Sequence, residues 1–298
     1  MNMNMNMNMN MNMKRFLTVS ALSAALVSLC SCSQQFELDS HIGVCRGLGD
    51  AQAALDAGAN YMEVNVQEYL VPEEDEETFL KKAEEMKASP LPVYAANCFF
   101  PGEIKIIGPN ADTPRAVAYA KVALKRAGSL GLKILVLGSG RSRELPDGFS
   151  REEADRQMVE LLSAVAPTAR ENGVTIVIEP LNTGETFYIN TVREGAEICR
   201  KVNHPNICVL ADFFHMYKVG EGPDAIIDAA DKLRHCHIAE GEHRTPPGVE
   251  GDDFTPYFEA LKSIGYKGAI SLECDWGEYS EVVKTAVEYT RSEIAKVK

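Results

Sequence analysis

The chain has 298 residues, 45% hydrophobic and 24% charged, the balance of a globular protein with enough apolar side chains for a sizeable core. Its 43 acidic residues against 30 basic ones leave a net charge of −13. This balance excludes the basic stripe with which a protein grips a polyphosphate backbone, so nucleic acid is not an expected partner. The acidic run Glu73-Glu74-Asp75-Glu76-Glu77 reads as a solvated helix start.

Residues 1–12 are six Met-Asn repeats, low-complexity sequence with no folding role. Lys14 and Arg15, then the apolar Phe16 to Leu29, have the layout of an export signal, too short for a transmembrane span. The segment closes on Leu29-Cys30-Ser31-Cys32, which resembles a bacterial lipobox with Cys32 as the lipidated residue. The expectation is a signal peptide over 13–32, a tether over 33–40, and one soluble domain over 41–298. Lipid would hold that domain to the periplasmic or cell-surface face of a bacterial membrane. The alternative is an ordinary secretory signal with incidental cysteines. Six further cysteines (Cys45, Cys98, Cys199, Cys208, Cys236, Cys274) read as buried free thiols, because a core this large needs no disulfides.

From residue 41 the pattern is strand, then helix, eight times over. The first unit is Ile42 to Cys45 with a helix over Ala51 to Ala57. The second is Tyr61 to Val66 with a charged helix over Glu77 to Lys87, and the third is Pro92 to Ala95 with a helix over Pro114 to Leu130. The fourth strand, Lys133 to Leu137, ends in Gly138-Ser139-Gly140, and its helix opens at a capping box of Ser150 and Glu153. Thr191 and Glu194 form a second capping box at the fifth helix. The seventh helix is expected over Tyr257 to Ser263 and the eighth over Glu281 to Ala295. Short apolar strands alternating with amphipathic helices imply an α/β parallel sheet, and eight units in one domain imply a closed (β/α)₈ TIM barrel. An open doubly wound sheet would carry a glycine-rich phosphate loop after its first strand, and Gly47-Leu48-Gly49 lacks the rest of that pattern.

The fifth to eighth strands each end on a potential metal ligand. These are Glu179, Asp212, His237 and Glu273, spaced by 33, 25 and 36 residues. In a barrel such groups converge on one mouth, where active sites of this fold sit. Strand parity agrees. Thr175, Val177 and Glu179 share one face, as do His235 with His237 and Ser271 with Glu273, while Cys236 and Cys274 point away from the axis. Two glutamates, an aspartate and a histidine form an oxygen and nitrogen set suited to one divalent ion such as Mn²⁺, Mg²⁺ or Co²⁺.

Glu179-Pro180-Leu181-Asn182 with Glu185, Asp212-Phe213-Phe214-His215-Met216 and His235-Cys236-His237-Ile238 together resemble the xylose isomerase-like superfamily of sugar isomerases and epimerases. In its ketose 3-epimerase branch the matching Glu, Asp, His and Glu bind one divalent metal. The resemblance therefore assigns Glu179, Asp212, His237 and Glu273 to the metal, with Glu179 and Glu273 as the catalytic pair. It also assigns substrate contacts to His215 and Arg244, with Glu185 beside them. Thr183 stands where the epimerase pattern usually carries arginine, so the resemblance names no particular ketohexose.

Other polar residues stay open between two roles. Asn97 and Arg143, on the loops after the third and fourth strands, either contact substrate or hold the loop. Arg244 either contacts substrate or is a solvated loop residue, and His215 either contacts substrate or caps its loop. His235 reads as a hydrogen-bonded residue one layer below His237. Glu63 and Asn65 reach the inner face of the second strand, where they line the pocket or fill the core. The chemistry expected is proton removal next to a carbonyl of a small unphosphorylated sugar or keto-sugar, giving an isomerase or epimerase. A 3-keto-glycoside lyase using the same ion and base is the alternative. A non-catalytic sugar-binding lipoprotein would need no glutamate pair, and a DNA-repair endonuclease would need more metal-binding histidines than a chain with six in total provides. An oligomer is compatible with this reading.

Overall fold

A computed structural model describes Leu38 and residues 41–298. The repeats, the expected export signal with Cys32 and most of the expected tether lie outside the described residues. Among the described residues eight strands are present: β1 (Ile42–Cys45), β2 (Tyr61–Asn65), β3 (Val93–Asn97), β4 (Ile134–Leu137), β5 (Thr175–Ile178), β6 (Ile207–Asp212), β7 (Leu233–Ile238) and β8 (Ala269–Leu272). All pair in parallel in sequence order, and β1 also pairs β8, closing the barrel. The expected (β/α)₈ TIM barrel is the observed fold. β4 (Ile-Leu-Val-Leu) and most of β5, β6 and β8 are short apolar runs, which suits a sheet covered on both faces, while β2 and β7 carry polar residues on their inner face.

The outer layer holds α1 (Ala51–Asp56), α2 (Glu76–Lys87), α3 (Thr113–Ser129), α4 (Arg151–Glu171), α5 (Val192–Val202), α6 (Phe213–Val219), α7 (Asp224–Asp228), α8 (Thr255–Ser263) and α9 (Tyr279–Lys296). The sixth unit carries two short helices. Gly220 at φ +68° ends α6 in the left-handed conformation and Pro223 opens α7. Among the described residues no helix is long and apolar enough to cross a membrane. The capping box at Thr191 and Glu194 is complete. The one expected at Ser150 is half made: Ser150 Oγ accepts from Glu153 N at 3.3 Å, but the Glu153 carboxylate turns to Arg156 at 2.7 and 2.9 Å. A two-pronged bond to a guanidinium outcompetes a neutral backbone N–H.

Strand parity sorts the two faces of the sheet. Val174, Ile176 and Ile178 pack outward with the main core under the helices, while Val177 faces inward with Ala95, Ile134, Val136, Cys208 and Leu210. The barrel interior is therefore apolar beside β3–β6. Beside β1, β2, β7 and β8 it is polar, holding Glu63, His235, His237 and Ser271, all buried.

All six further cysteines are free thiols, but only Cys199, Cys208 and Cys236 are buried; Cys45 and Cys274 are half-buried and Cys98 is exposed. Strand β3 runs two residues past Ala95, and the chain then turns at Cys98 with φ +54°. Arg143 is not a mouth residue. It is fully buried, and its guanidinium donates to the carbonyls of Gly138 (2.5 Å), Glu179 (2.6 Å), Ile189 (3.3 Å) and Tyr188. It ties the end of β4 to the end of β5 and to the following loop, so of its two readings the loop-holding one stands. Burial lowers its pKa to about 10, still charged at neutral pH. Arg143→Met is expected to destabilise the fold by about 3–5 kcal/mol, because it orphans four buried carbonyls. Urea unfolding checks this, and an unchanged midpoint would refute the structural role.

Candidate active site

The residues that end β5, β6, β7 and β8 meet at one mouth. One ligand atom each from Glu179, Asp212, His237 and Glu273 lies within 4.8 Å of the others. His237 Nδ1 is 3.1 Å from Glu179 Oε1, 3.1 Å from Glu273 Oε2 and 3.8 Å from Asp212 Oδ2. Register explains the convergence: Asp212 is level with His237, and His237 with Ser271, two residues before Glu273.

Each ligand candidate is held from outside the ring. Asp212 Oδ1 caps α6 by accepting from His215 N at 3.1 Å. Its Oδ2 is buried without any hydrogen-bond partner and faces the other three groups. Glu273 Oε1 accepts from Asn97 Nδ2 at 2.9 Å, and its Oε2 pairs with Arg244 at 2.6 Å. Glu179 Oε2 accepts no hydrogen bond from the protein and lies against Gly138, where a Cβ would come within 2.3 Å of it. His237 Nε2 faces Glu63 Oε1 at 3.0 Å.

The electrostatics are those of a cation site. Four carboxylates (Glu63, Glu179, Asp212, Glu273) crowd around His237 and Arg244, with His235 also on Glu63. Burial, then the charge on Glu273, pushes the Glu179 carboxyl up. Burial acts in the same sense on Glu273, but His237 and Arg244 outweigh it and hold that carboxyl at about 2. Burial disfavours the charged form of His237, yet Glu63 and Glu273 raise its pKa well above the ordinary value. A divalent ion would relieve this excess of negative charge and engage the orphaned Asp212 Oδ2, so the residues present fit one.

A second tier surrounds the ring. His215 is buried with Nδ1 held by the Asn182 amide groups at 3.0 and 3.2 Å, while its Nε2 makes no hydrogen bond. Arg244 stacks over Phe214 with its guanidinium carbon 4.9 Å from the ring centre. Glu185 stands 3.7 Å from Arg244 and 3.9 Å from His215. Asn97 ends β3 rather than lying on the loop after it, and both it and Arg244 reach the ring. His235 is the deeper, hydrogen-bonded histidine expected, and Asn65 instead caps the turn after β2. Left-handed non-glycine residues cluster in the loops above the strands: Val71, Cys98, Ser139, Ile189 and Arg244. Such strain concentrates where a fold positions functional groups.

Sequence reasoning missed Glu240. It is fully buried and accepts from Gly248 N and Gly251 N at 2.8 Å each, from Thr245 Oγ1 at 3.0 Å, and from Glu250 N. One carboxylate thus folds the loop that carries Arg244. The only hint was a charged residue just past a strand end in a glycine-containing loop.

A family model describing a xylose isomerase-like TIM barrel matches residues 51–294. The chain belongs to this family. Among curated relatives, an L-ribulose 3-epimerase from Methylomonas sp. (strain DH-1) is 35% identical over 129 residues, 43% of this chain and 44% of that one. A hydroxypyruvate isomerase from Escherichia coli (strain K12) is 27% identical over 154 residues, 51% of this chain and 58% of that one. The chain spans about half the length of the curated relatives it matches. A solved D-psicose 3-epimerase with D-tagatose, from Clostridium cellulolyticum H10, superposes with a TM-score of 0.74 at 20% identity, covering 85% of this chain and 99% of that one. At that identity the likeness establishes the fold, which the family shares.

Proposed function

We propose that this chain is a divalent-metal-dependent isomerase or epimerase acting on a small unphosphorylated sugar or keto-sugar, by proton transfer at a carbon next to a carbonyl. The observation that carries this reading is the pair of carboxylates on β5 and β8, set around a buried ring with an orphaned oxygen at Asp212. Glu179, Asp212, His237 and Glu273 would hold Mn²⁺, Mg²⁺ or Co²⁺. Bound there, the ion would supply positive charge to the oxygens of the substrate as negative charge builds on them.

The chain's own groups divide the remaining work. Glu179 Oε2 is open and is the carboxylate oxygen positioned to take a proton. Glu273, already ordered by Asn97 and Arg244, stands across the ring to return one to the opposite face, which inverts the centre. His215 Nε2, buried and without a hydrogen bond, together with Arg244 and Glu185, would hold substrate hydroxyls. The surplus of carboxylates at the mouth repels phosphorylated sugars, which favours neutral substrates. The relatives named as an epimerase and an isomerase support the same class.

A proton NMR time course in D₂O tests the reading, with Mg²⁺-loaded protein and either free ketohexoses or a 3-keto-glucoside. The expected result is deuterium uptake beside the carbonyl with the glycosidic bond intact. Release of the aglycone would make the protein a lyase instead. Binding without exchange would make it a sugar-binding protein.

A further inference from the structure

We propose that Glu63 is the positioning residue of this centre: it fixes the proton of His237 on Nε2, so that the Nδ1 lone pair faces the carboxylate ring and sets the affinity for the divalent ion. The inference rests on the metal reading above. Glu63 lies on β2, across the barrel from the ligand-bearing β5 and β6, and only 1% of its surface is exposed. Its oxygens are divided among donors. Oε1 is 3.0 Å from His237 Nε2, and Oε2 is 2.9 Å from His235 Nε2 and 2.6 Å from Ser271 Oγ.

The proton positions follow from the inventory of donors. A carboxylate only accepts, so each imidazole Nε2 facing Glu63 carries a hydrogen. Ser271 has one hydroxyl proton and spends it on Glu63, so the Tyr61 hydroxyl, 2.8 Å away, donates to Ser271. With Nε2–H directed at Glu63, a neutral His237 is left with a lone pair on Nδ1. That atom is ringed by Glu179, Glu273 and Asp212 at 3.1, 3.1 and 3.8 Å. Three acceptors around Nδ1 call for positive charge at their centre, supplied by a second proton on the imidazole in the metal-free centre and by the divalent ion once it displaces that proton. Burying the Glu63 charge is costly, and three donors offset that cost.

The same accounting decides between two metal-ligand groups. Cys45, Glu63 and His237 also bring one ligand atom each within 4.8 Å of one another. Both Glu63 oxygens are committed to donors and His237 Nε2 is a donor, which leaves that group Cys45 Sγ alone. The ion therefore goes to the outer four.

Two measurements on the full chain, stripped of metal, test this. Titration calorimetry with Mn²⁺ should show Glu63→Gln binding about 10–100-fold more weakly than the unaltered protein, the usual loss when the outer partner of a ligating histidine is removed. Ser271→Ala keeps the His237–Glu63 bond and should leave affinity nearly unchanged. A merely structural Glu63 would lower the melting temperature and leave Mn²⁺ affinity alone. Long-range ¹H–¹⁵N correlation spectra of the unaltered, Mg²⁺-loaded protein should place the His237 proton on Nε2, a readout that needs no variant to fold. Equal Mn²⁺ affinity in Glu63→Gln, or a proton on Nδ1, would overturn this proposal while the metal reading stands. Absence of Mn²⁺ binding by the unaltered protein would overturn both.

Discussion

Glu179→Gln is expected to lower kcat by about 10²–10⁴-fold under saturating Mn²⁺, the range that a positioned acid or base contributes. The amide keeps the shape of the side chain and leaves an oxygen toward the ring, so the fold and part of the ion affinity survive. What disappears is a carboxylate oxygen with no protein hydrogen bond, raised in pKa by burial and by Glu273. Such a group is poised to accept a proton, whereas Glu273 is tied to Asn97 and Arg244. Glu273→Gln should cost a comparable factor if the second carboxylate returns the proton on the opposite face. An active Glu273→Gln enzyme would sink the two-base scheme while leaving Glu179 in place. The pair of variants, assayed for deuterium exchange and for product separately, distinguishes loss of abstraction from loss of return.

Removal of the divalent ion is the second large effect expected. Exhaustive chelation should abolish turnover and lower the melting temperature, and Mn²⁺ should restore both. At an Mn²⁺ concentration 100 times its Kd, linkage contributes about 2.7 kcal/mol. For a domain of this size that corresponds to a shift of about 5–10 °C. Four buried or half-buried carboxylates crowd together around His237 and Arg244, and Asp212 Oδ2 makes no hydrogen bond. Asp212→Asn should reduce the Mn²⁺-dependent shift, because it removes a charge from the ring. Full turnover by chelated protein, with a melting temperature indifferent to Mn²⁺, would refute the metal dependence.

Much of the fold was readable from the chain because its signals are local. An apolar run of four to six residues, a cap and an amphipathic helix each depend on neighbours in sequence, and the eightfold repetition leaves few ways to close the sheet. Thr191 and Glu194 show how local such a signal is: their reciprocal bonds span only three positions. Ser150 and Glu153 show its limit, since Arg156 on the next turn took the glutamate away. The four ring residues were readable for a related reason. Parallel strands of a barrel end at the same mouth, so a ligand at four successive strand ends has one place to go.

The residues whose role was open or missed depend on contacts made across the barrel. Arg143 looked like a mouth residue until the loop after β5 folded over it and its guanidinium found four carbonyls. Glu63 is 172 residues from His235 in sequence, yet they meet at 2.9 Å because β2 and β7 face each other inside the closed sheet. Glu240 is an ordinary loop glutamate until backbone N–H groups converge on it. By itself the sequence determined the strands, the helices, the barrel they close into and the four groups at its mouth, because periodicity and strand ends are short-range properties. Only the tertiary structure decided which carboxylate stays open, which histidine nitrogen faces the ring and which arginine is buried. Those choices turn on distances between strands far apart in the chain, and closure of the barrel sets them.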